Sequence, residues 1–165
     1  MSVIVYIESE ENKIKKASIE AVSYAKKISE SLEKDLMAVS FNLTDFSILN
    51  NYGVDKLYNI SDEKLKVFEV NAYSNNLSNL FNKLKPEIVV ITSSANSRYL
   101  GPILASKIDS AYMSNVVSLP ISYSPFSVKR SCFTNKAFNE TFTKKSNVVL
   151  SLSSNSYGLN ENKSN

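Results

Sequence analysis

Two short stretches hold the side chains best suited to chemistry. In Ser93-Ser-Ala-Asn-Ser-Arg98, the hydroxyls of Ser93, Ser94 and Ser97, the Asn96 amide and the Arg98 guanidinium follow directly on the apolar run Glu87-Ile-Val-Val-Ile-Thr92. At a strand-to-helix junction such donors suit an anion such as phosphate, because the first N–H groups of a helix have no internal partner. The same residue types are ordinary N-caps, and Arg98 can instead pair with a neighbouring carboxylate. In the second stretch, Phe126, Val128, Arg130 and Cys132 alternate with Ser127, Lys129, Ser131 and Phe133. That period is a half-buried strand with Arg130 on its apolar side, and a buried guanidinium needs a partner, within the domain or across an interface. A tight connection, Thr134-Asn-Lys-Ala-Phe138, follows. Its aromatics, with Asn135 beside them, read as core or interface rather than as platforms for a nucleotide base.

Much other chemistry is excluded. The chain of 165 residues contains no His, which removes Ser-His-Asp and Cys-His triads and histidine metal sites. Its three glycines, Gly53, Gly101 and Gly158, lie too far apart for a phosphate-wrapping loop. Cys132 is the only cysteine, so no disulfide or iron–sulfur cluster can form within the chain, and it is expected to behave as a small buried apolar residue. Asp45, Asp55, Asp62 and Asp109 are scattered without pairing. The net charge is +3 and all but two of the bases, Arg98 and Arg130, are Lys, without the dense basic stripe of a nucleic-acid binder. Met1 to Ile7 lacks the basic region of a signal peptide, and no run approaches the ~20 apolar residues of a membrane span. A cytoplasmic protein is expected.

The elements that must position these residues alternate. Val3 to Ile7 reads as a buried strand, followed by a polar turn over Glu8 to Lys13. Ile14, Ala17, Ala21, Tyr24, Ala25, Ile28 and Leu32 then recur at helical spacing, opposite a solvated Lys-rich face with Lys26–Glu30 available as an i,i+4 pair. Leu36 to Ser40 is a second strand, Leu43 to Asn51 a short helix, and Lys56 to Ile60 a third strand. A helix with Tyr73, Leu77, Leu80, Phe81 and Leu84 on its apolar face ends at Pro86. The unalternating Ile88 to Thr92 predicts a central parallel strand buried on both faces. A helix over Ser97 to Ile108 turns Leu100, Ile103, Leu104 and Ile108 inward, with Pro102 in its first turn or kinking it. After residue 112 the segments Val116–Leu119, Phe126–Phe133, Ala137–Thr143 and Asn147–Leu152 read as strands that add antiparallel pairs to the sheet or form a separate ribbon. Ser153 to Asn165 is polar and reads as a linker or loose tail. The fold expected is α/β, a Rossmann-like three-layer domain over residues 1–152 with a mostly parallel sheet and right-handed crossovers, followed by a C-terminal antiparallel ribbon.

Several segments together resemble the N-terminal domain of the electron transfer flavoprotein α-subunit family. They are Val3-Ile-Val-Tyr-Ile-Glu-Ser9, Tyr52-Gly-Val-Asp-Lys-Leu57, Glu87 to Ile108, Ser114-Asn-Val-Val117 and Val128 to Phe138, in the family's order and spacing. Two places depart from the family: Asn96-Ser-Arg98 stands where a Gly-Lys or Gly-Arg pair is usual, and Thr134-Asn-Lys136 replaces an Ala-Gly-Asn turn. The resemblance implies an adenine-nucleotide α-hydrolase-like fold and a scaffold domain without catalytic residues or a cofactor of its own. In that family FAD is held by a C-terminal domain beyond the segments matched here, and AMP by a partner β subunit. The complete complex passes electrons from dehydrogenases, acyl-CoA dehydrogenases of fatty acid β-oxidation among them, to a quinone-linked acceptor. Ser93, Ser94, Asn96, Ser97, Arg98, Arg130, Phe133, Asn135 and Phe138 become the expected subunit or interdomain contacts. The alternative is a stand-alone nucleotide-binding α/β domain like the universal stress proteins, which carry a Gly-rich loop absent here; a hydrolase or transferase fits least.

Overall fold

The computed structural model describes residues 2–161. Its backbone is organised by two strands with no polar face. Val3–Ile7 (β1) and Ile88–Thr92 (β6) are buried throughout and pair in parallel, Val3 opposite Ile88. Such continuous β-branched runs stay in place only where helices cover both faces. On one face, Lys16–Ser31 (α1) packs Ala21, Val22, Tyr24, Ala25 and Ile28 against Val3, Val5, Leu36 and Val90. On the other, Val70–Leu84 (α2) and Ala95–Lys107 (α3) set Leu77, Phe81, Leu100 and Leu104 against Ile4, Val39, Val89 and Ile91. The expected three layers are therefore present.

Leu36–Phe41 (β4) and Lys56–Ile60 (β5) extend the sheet beyond β1, all in parallel. Between β1 and α1 the expected polar turn is a small hairpin, Ser9–Glu10 (β2) with Lys13–Ile14 (β3), joined by Glu11 and Asn12 at φ 48° and 61°. Two left-handed residues in a two-residue loop match the twist of the flanking strands.

The second half departs from expectation. Ala111–Val116 (β7) lies earlier than the Val116–Leu119 strand read from sequence. Phe126–Cys132 (β9) and Ala137–Thr143 (β10) form the antiparallel ribbon, with the short Ser122–Tyr123 (β8) also on β9. Val148–Leu152 (β11) is not part of that ribbon. It inserts between β6 and β7, parallel to both, and is buried at every residue. The sheet order is β10-β9-β7-β11-β6-β1-β4-β5. A parallel pair needs a long crossover, usually a helix; between β7 and β11 the ribbon takes that place.

Pro102 lies inside α3, beyond its first turn. Next to it Gly101 lets α3 press on the sheet: a Cβ there would stand 2.5 Å from a Tyr112 ring carbon and 2.8 Å from Ile91. On the solvent face of α1, Lys27 pairs with Glu30 at 3.6 Å. Of residues 153–165, read as a linker or loose tail, 153–161 fold back along α1, and 162–165 lie outside the described residues. The Glu20 carboxylate there accepts from the amides of Asn155, Tyr157 and Gly158 at 2.8, 2.8 and 2.9 Å, and the Tyr157 ring meets Tyr24 edge-on at 5.4 Å. Among the described residues no helix is long and apolar enough to cross a membrane.

Candidate functional site

In an open α/β sheet the ligand crevice opens beyond the carboxyl ends of the strands, where the order reverses. Here the chain proceeds outward from β1 to β4 and β5, then returns to β6 on the other side, so the reversal lies between β1 and β6. At that point Glu8 follows directly on β1 and β6 ends in Thr92, from which the chain enters α3.

Glu8 is 5% exposed. Its Oε1 accepts from the hydroxyls of Thr92 at 2.5 Å, Ser94 at 2.7 Å and Ser97 at 2.5 Å. Ser94 is also the N-cap of α3, its Oγ accepting from Ser97 N at 3.0 Å. A carboxylate therefore sits at the amino end of α3, where the dipole and the hydroxyls favour negative charge. The anion for which the Ser-rich loop is suited is supplied by the chain itself. Ser93 turns the other way: its Oγ donates to Leu152 O at 2.7 Å and lies 3.0 Å from Ser151 Oγ, tying the loop to β11.

The nine expected site residues thus divide. Ser97 is fully buried, and Ser93 and Ser94 are spent on internal bonds, so none of these three offers a free donor. Asn96 and Arg98 remain exposed, and among the described residues the Arg98 guanidinium has no hydrogen bond or ion pair. Arg98 meets the ribbon turn: it lines a cleft of about 470 Å³ together with Phe133, Asn135, Tyr112 and Ser114. Burial raises the Tyr112 phenol, while Ser151 and the positive charges of Arg130 and Arg98 pull it back.

Arg130 finds its partners inside the domain. Nε donates to Ser114 O at 2.5 Å, Nη2 to Ser114 Oγ at 2.8 Å and Nη1 to Thr141 Oγ1 at 3.4 Å. It thereby pins the ribbon to β7, where Val116 pairs with Arg130. Cys132 is half-buried rather than a core residue. The turn is built from Phe133, Thr134 and Asn135, all left-handed at φ 48°, 54° and 63°, which throws Phe133 outward to 81% exposure. Phe138 and Phe142 project from β10 at 59% and 62% exposure, with Lys129 Nζ 4.5 Å from the Phe138 ring centroid. Single exposed apolar residues are commonplace; here three phenylalanines stand exposed on one ribbon.

The scattered aspartates have local duties. Asp55 accepts from Leu36 N, Asp45 and Asp62 from amides two residues on, and Asp109 pairs with Lys145. The centre that sequence reading missed is Glu8. The only signal available was its place, the first polar residue at the end of the first strand.

The domain model for the electron transfer flavoprotein domain matches residues 3–165. The chain is 30% identical over 120 residues to the electron transfer flavoprotein subunit alpha of Clostridium acetobutylicum, covering 71% of this chain and 36% of that protein. It is 23% identical over 142 residues to the subunit of the same name from Bacillus subtilis, covering 86% and 44%. The acryloyl-CoA reductase electron transfer subunit beta of Anaerotignum propionicum is 24% identical over 125 residues, covering 74% and 34%. The matches span between about a third and less than half of the length of these relatives.

Proposed function

The chain belongs to the electron transfer flavoprotein domain family, and from that premise we propose that it is the N-terminal scaffold domain of an α subunit, working in electron transfer without holding the redox group itself. The observation that carries this reading is the carboxylate of Glu8 at the strand-order reversal. A nucleotide phosphate entering there would displace an internal anion and leave three hydroxyls, two of them buried, without their acceptor, which opposes FAD or AMP binding in this crevice. FAD, the group that accepts and releases electrons when bound, is then carried by a further domain, and AMP by a partner β subunit.

The ribbon is the contact surface in this reading. Phe133, Phe138 and Asn135, with Arg98 and Asn96 in the first turn of α3, face the β subunit or the flavin domain. Arg130, Ser93, Ser94 and Ser97 hold that surface in place from behind. The assembled protein takes electrons from an acyl-CoA-type dehydrogenase, in keeping with the relative named for acryloyl-CoA reductase, and passes them to a quinone-linked acceptor in the cytoplasm.

Co-expression of the chain with a β subunit of the family, followed by affinity capture, tests this. Co-purification is expected, and the double variant Phe133→Ala/Phe138→Ala should lose it while melting as the parent does, since both rings are mostly in water. Capture unchanged by the double variant would refute the assignment of the ribbon. The alternative, a nucleotide-binding domain like the universal stress proteins, is separated by calorimetric titration with AMP, ATP and FAD: no heat is expected, and micromolar binding of any of them would favour that alternative instead.

A further inference from the structure

The same end of the sheet carries a second feature. Beside Glu8 opens a cleft of about 760 Å³, bounded by the β2–β3 hairpin, the ends of β1 and β4 and the 61–68 loop. Its floor is a run of touching rings. Tyr6 meets Phe41 edge-on at 6.0 Å, Phe41 lies 4.2 Å from Tyr73, and Phe68 caps Tyr73 at 5.0 Å. Its rim is acidic. Glu8, Glu10, Glu11 and Glu63 line it against only Lys15 and Lys66, and each lysine already faces one carboxylate, Lys15–Glu10 at 3.6 Å and Lys66–Glu63 at 2.6 Å. Glu8 and Glu11 face no cation of the chain among the described residues.

One hydroxyl lining this cleft is unused. Tyr6 is 4% exposed and lines the floor, and among the described residues its hydroxyl makes no hydrogen bond, whereas the neighbouring Tyr73 hydroxyl donates to Leu65 O at 2.7 Å. Burial, with Glu8 and Tyr73 nearby, keeps the Tyr6 phenol protonated far beyond neutral pH, so it presents lone pairs and a proton but no charge.

We propose that this cleft binds a small organic cation, an ammonium head on an alkyl body, with the body on the aromatic floor and the head between Glu8, Glu11 and the Tyr6 hydroxyl. Aromatic faces attract alkylammonium groups, most strongly where water is excluded, and the excess of carboxylates repels the anions that crevices of this kind otherwise take. An inorganic cation fits less well, because the described residues contain no group of three or more carboxylate or thiol ligands placed to surround one.

The chain has no Trp, so tyrosine fluorescence and calorimetry can follow the titration. The probe is 1,5-diaminopentane, with glutarate and magnesium chloride as comparisons. Saturable binding of the diamine, weakened by salt, is expected, with none of glutarate. Glu11→Gln, on an exposed turn, should weaken it about tenfold, and Tyr6→Phe several-fold at unchanged fold by circular dichroism. Absence of saturable diamine binding, binding that ignores both variants, or equal binding of magnesium would each overturn the proposal. None of these outcomes bears on capture of a β subunit, so this inference and the scaffold assignment fail separately.

Discussion

The crevice at the end of β1 and β6 and the ribbon of β9 and β10 use polar side chains in opposite ways. At the crevice, Glu8, Thr92, Ser94 and Ser97 are buried or half-buried and spend their hydrogen bonds on one another. On the ribbon, polar groups are used to anchor it, Arg130 to Ser114, while the large apolar rings of Phe133, Phe138 and Phe142 are left in water. The first arrangement stabilises the domain at the expense of the place where such folds usually hold a phosphate. The second leaves apolar surface that contributes nothing to the stability of the domain by itself. The difference separates substitutions that should damage the fold from those that should damage association.

The sharpest break is at Glu8. Glu8→Ala removes the common acceptor of three hydroxyls and the negative charge at the amino end of α3. A loss of about 3 kcal/mol in urea unfolding is expected, the range for leaving buried polar partners unpaired. Glu8→Gln keeps an acceptor oxygen and should cost less than half as much. If Glu8→Ala unfolds at the same urea concentration as the parent, the crevice is not the internally satisfied centre described above, and the contrast with the ribbon collapses.

Arg130 tests the ribbon's side. Arg130→Ala deletes the bonds to Ser114 and Thr141 that fasten β9 to β7. A cost of about 1–2 kcal/mol is expected. Hydrogen exchange should rise along β9 and β10 and stay slow in β1 and β6. Exchange rising equally throughout would mean that the ribbon is as integral to the core as the crevice is.

How far the sequence revealed these two regions depends on how local their signals are. β5, Lys56–Ile60, and the arrest of α2 before Pro86 were legible because strand runs and proline act within a few residues. β7 was misplaced because Ser114-Asn115 within it resemble a turn; Asn115 does adopt φ 55°, and the pairing with β11 shifts register there. β11 was read as a strand, but its place was not legible: its neighbours β6 and β7 are parallel strands far back in the chain, and the connection is a ribbon instead of the helix that announces a crossover. Arg130's need for a partner was legible; that Ser114 supplies it was not. Glu8 carried no pattern, since its partners are three hydroxyls more than eighty residues away. Glu20 was less visible still, because backbone amides have no side-chain identity to read.

Glu20 gives the smallest effect and joins the two regions, because the segment it clasps runs from the end of β11 past the ribbon. Ser153 and Ser156 share a cleft wall with Lys129 and Phe138. Partial burial pushes the Glu20 carboxyl up, but the amides of Gly158, Tyr157, Asn155 and Ser156 outweigh it, and the net pKa is lowered. With the folded-state value below the unfolded one, the carboxylate's contribution is complete well above pH ~4.3 and is lost as the pH falls through the folded-state value. Glu20→Gln should therefore cost about 1 kcal/mol near neutral pH and less at acid pH, once the parent carboxyl has taken up its proton. Urea unfolding of both forms at the two pH values reads this difference. The two aromatic partners, Tyr24 and Tyr157, have raised pKa values and do not titrate in this window. An equal penalty at both pH values would show that Glu20 acts through packing and not through its charge, and the strap would then belong with the crevice as core rather than with the ribbon as a surface that can be released.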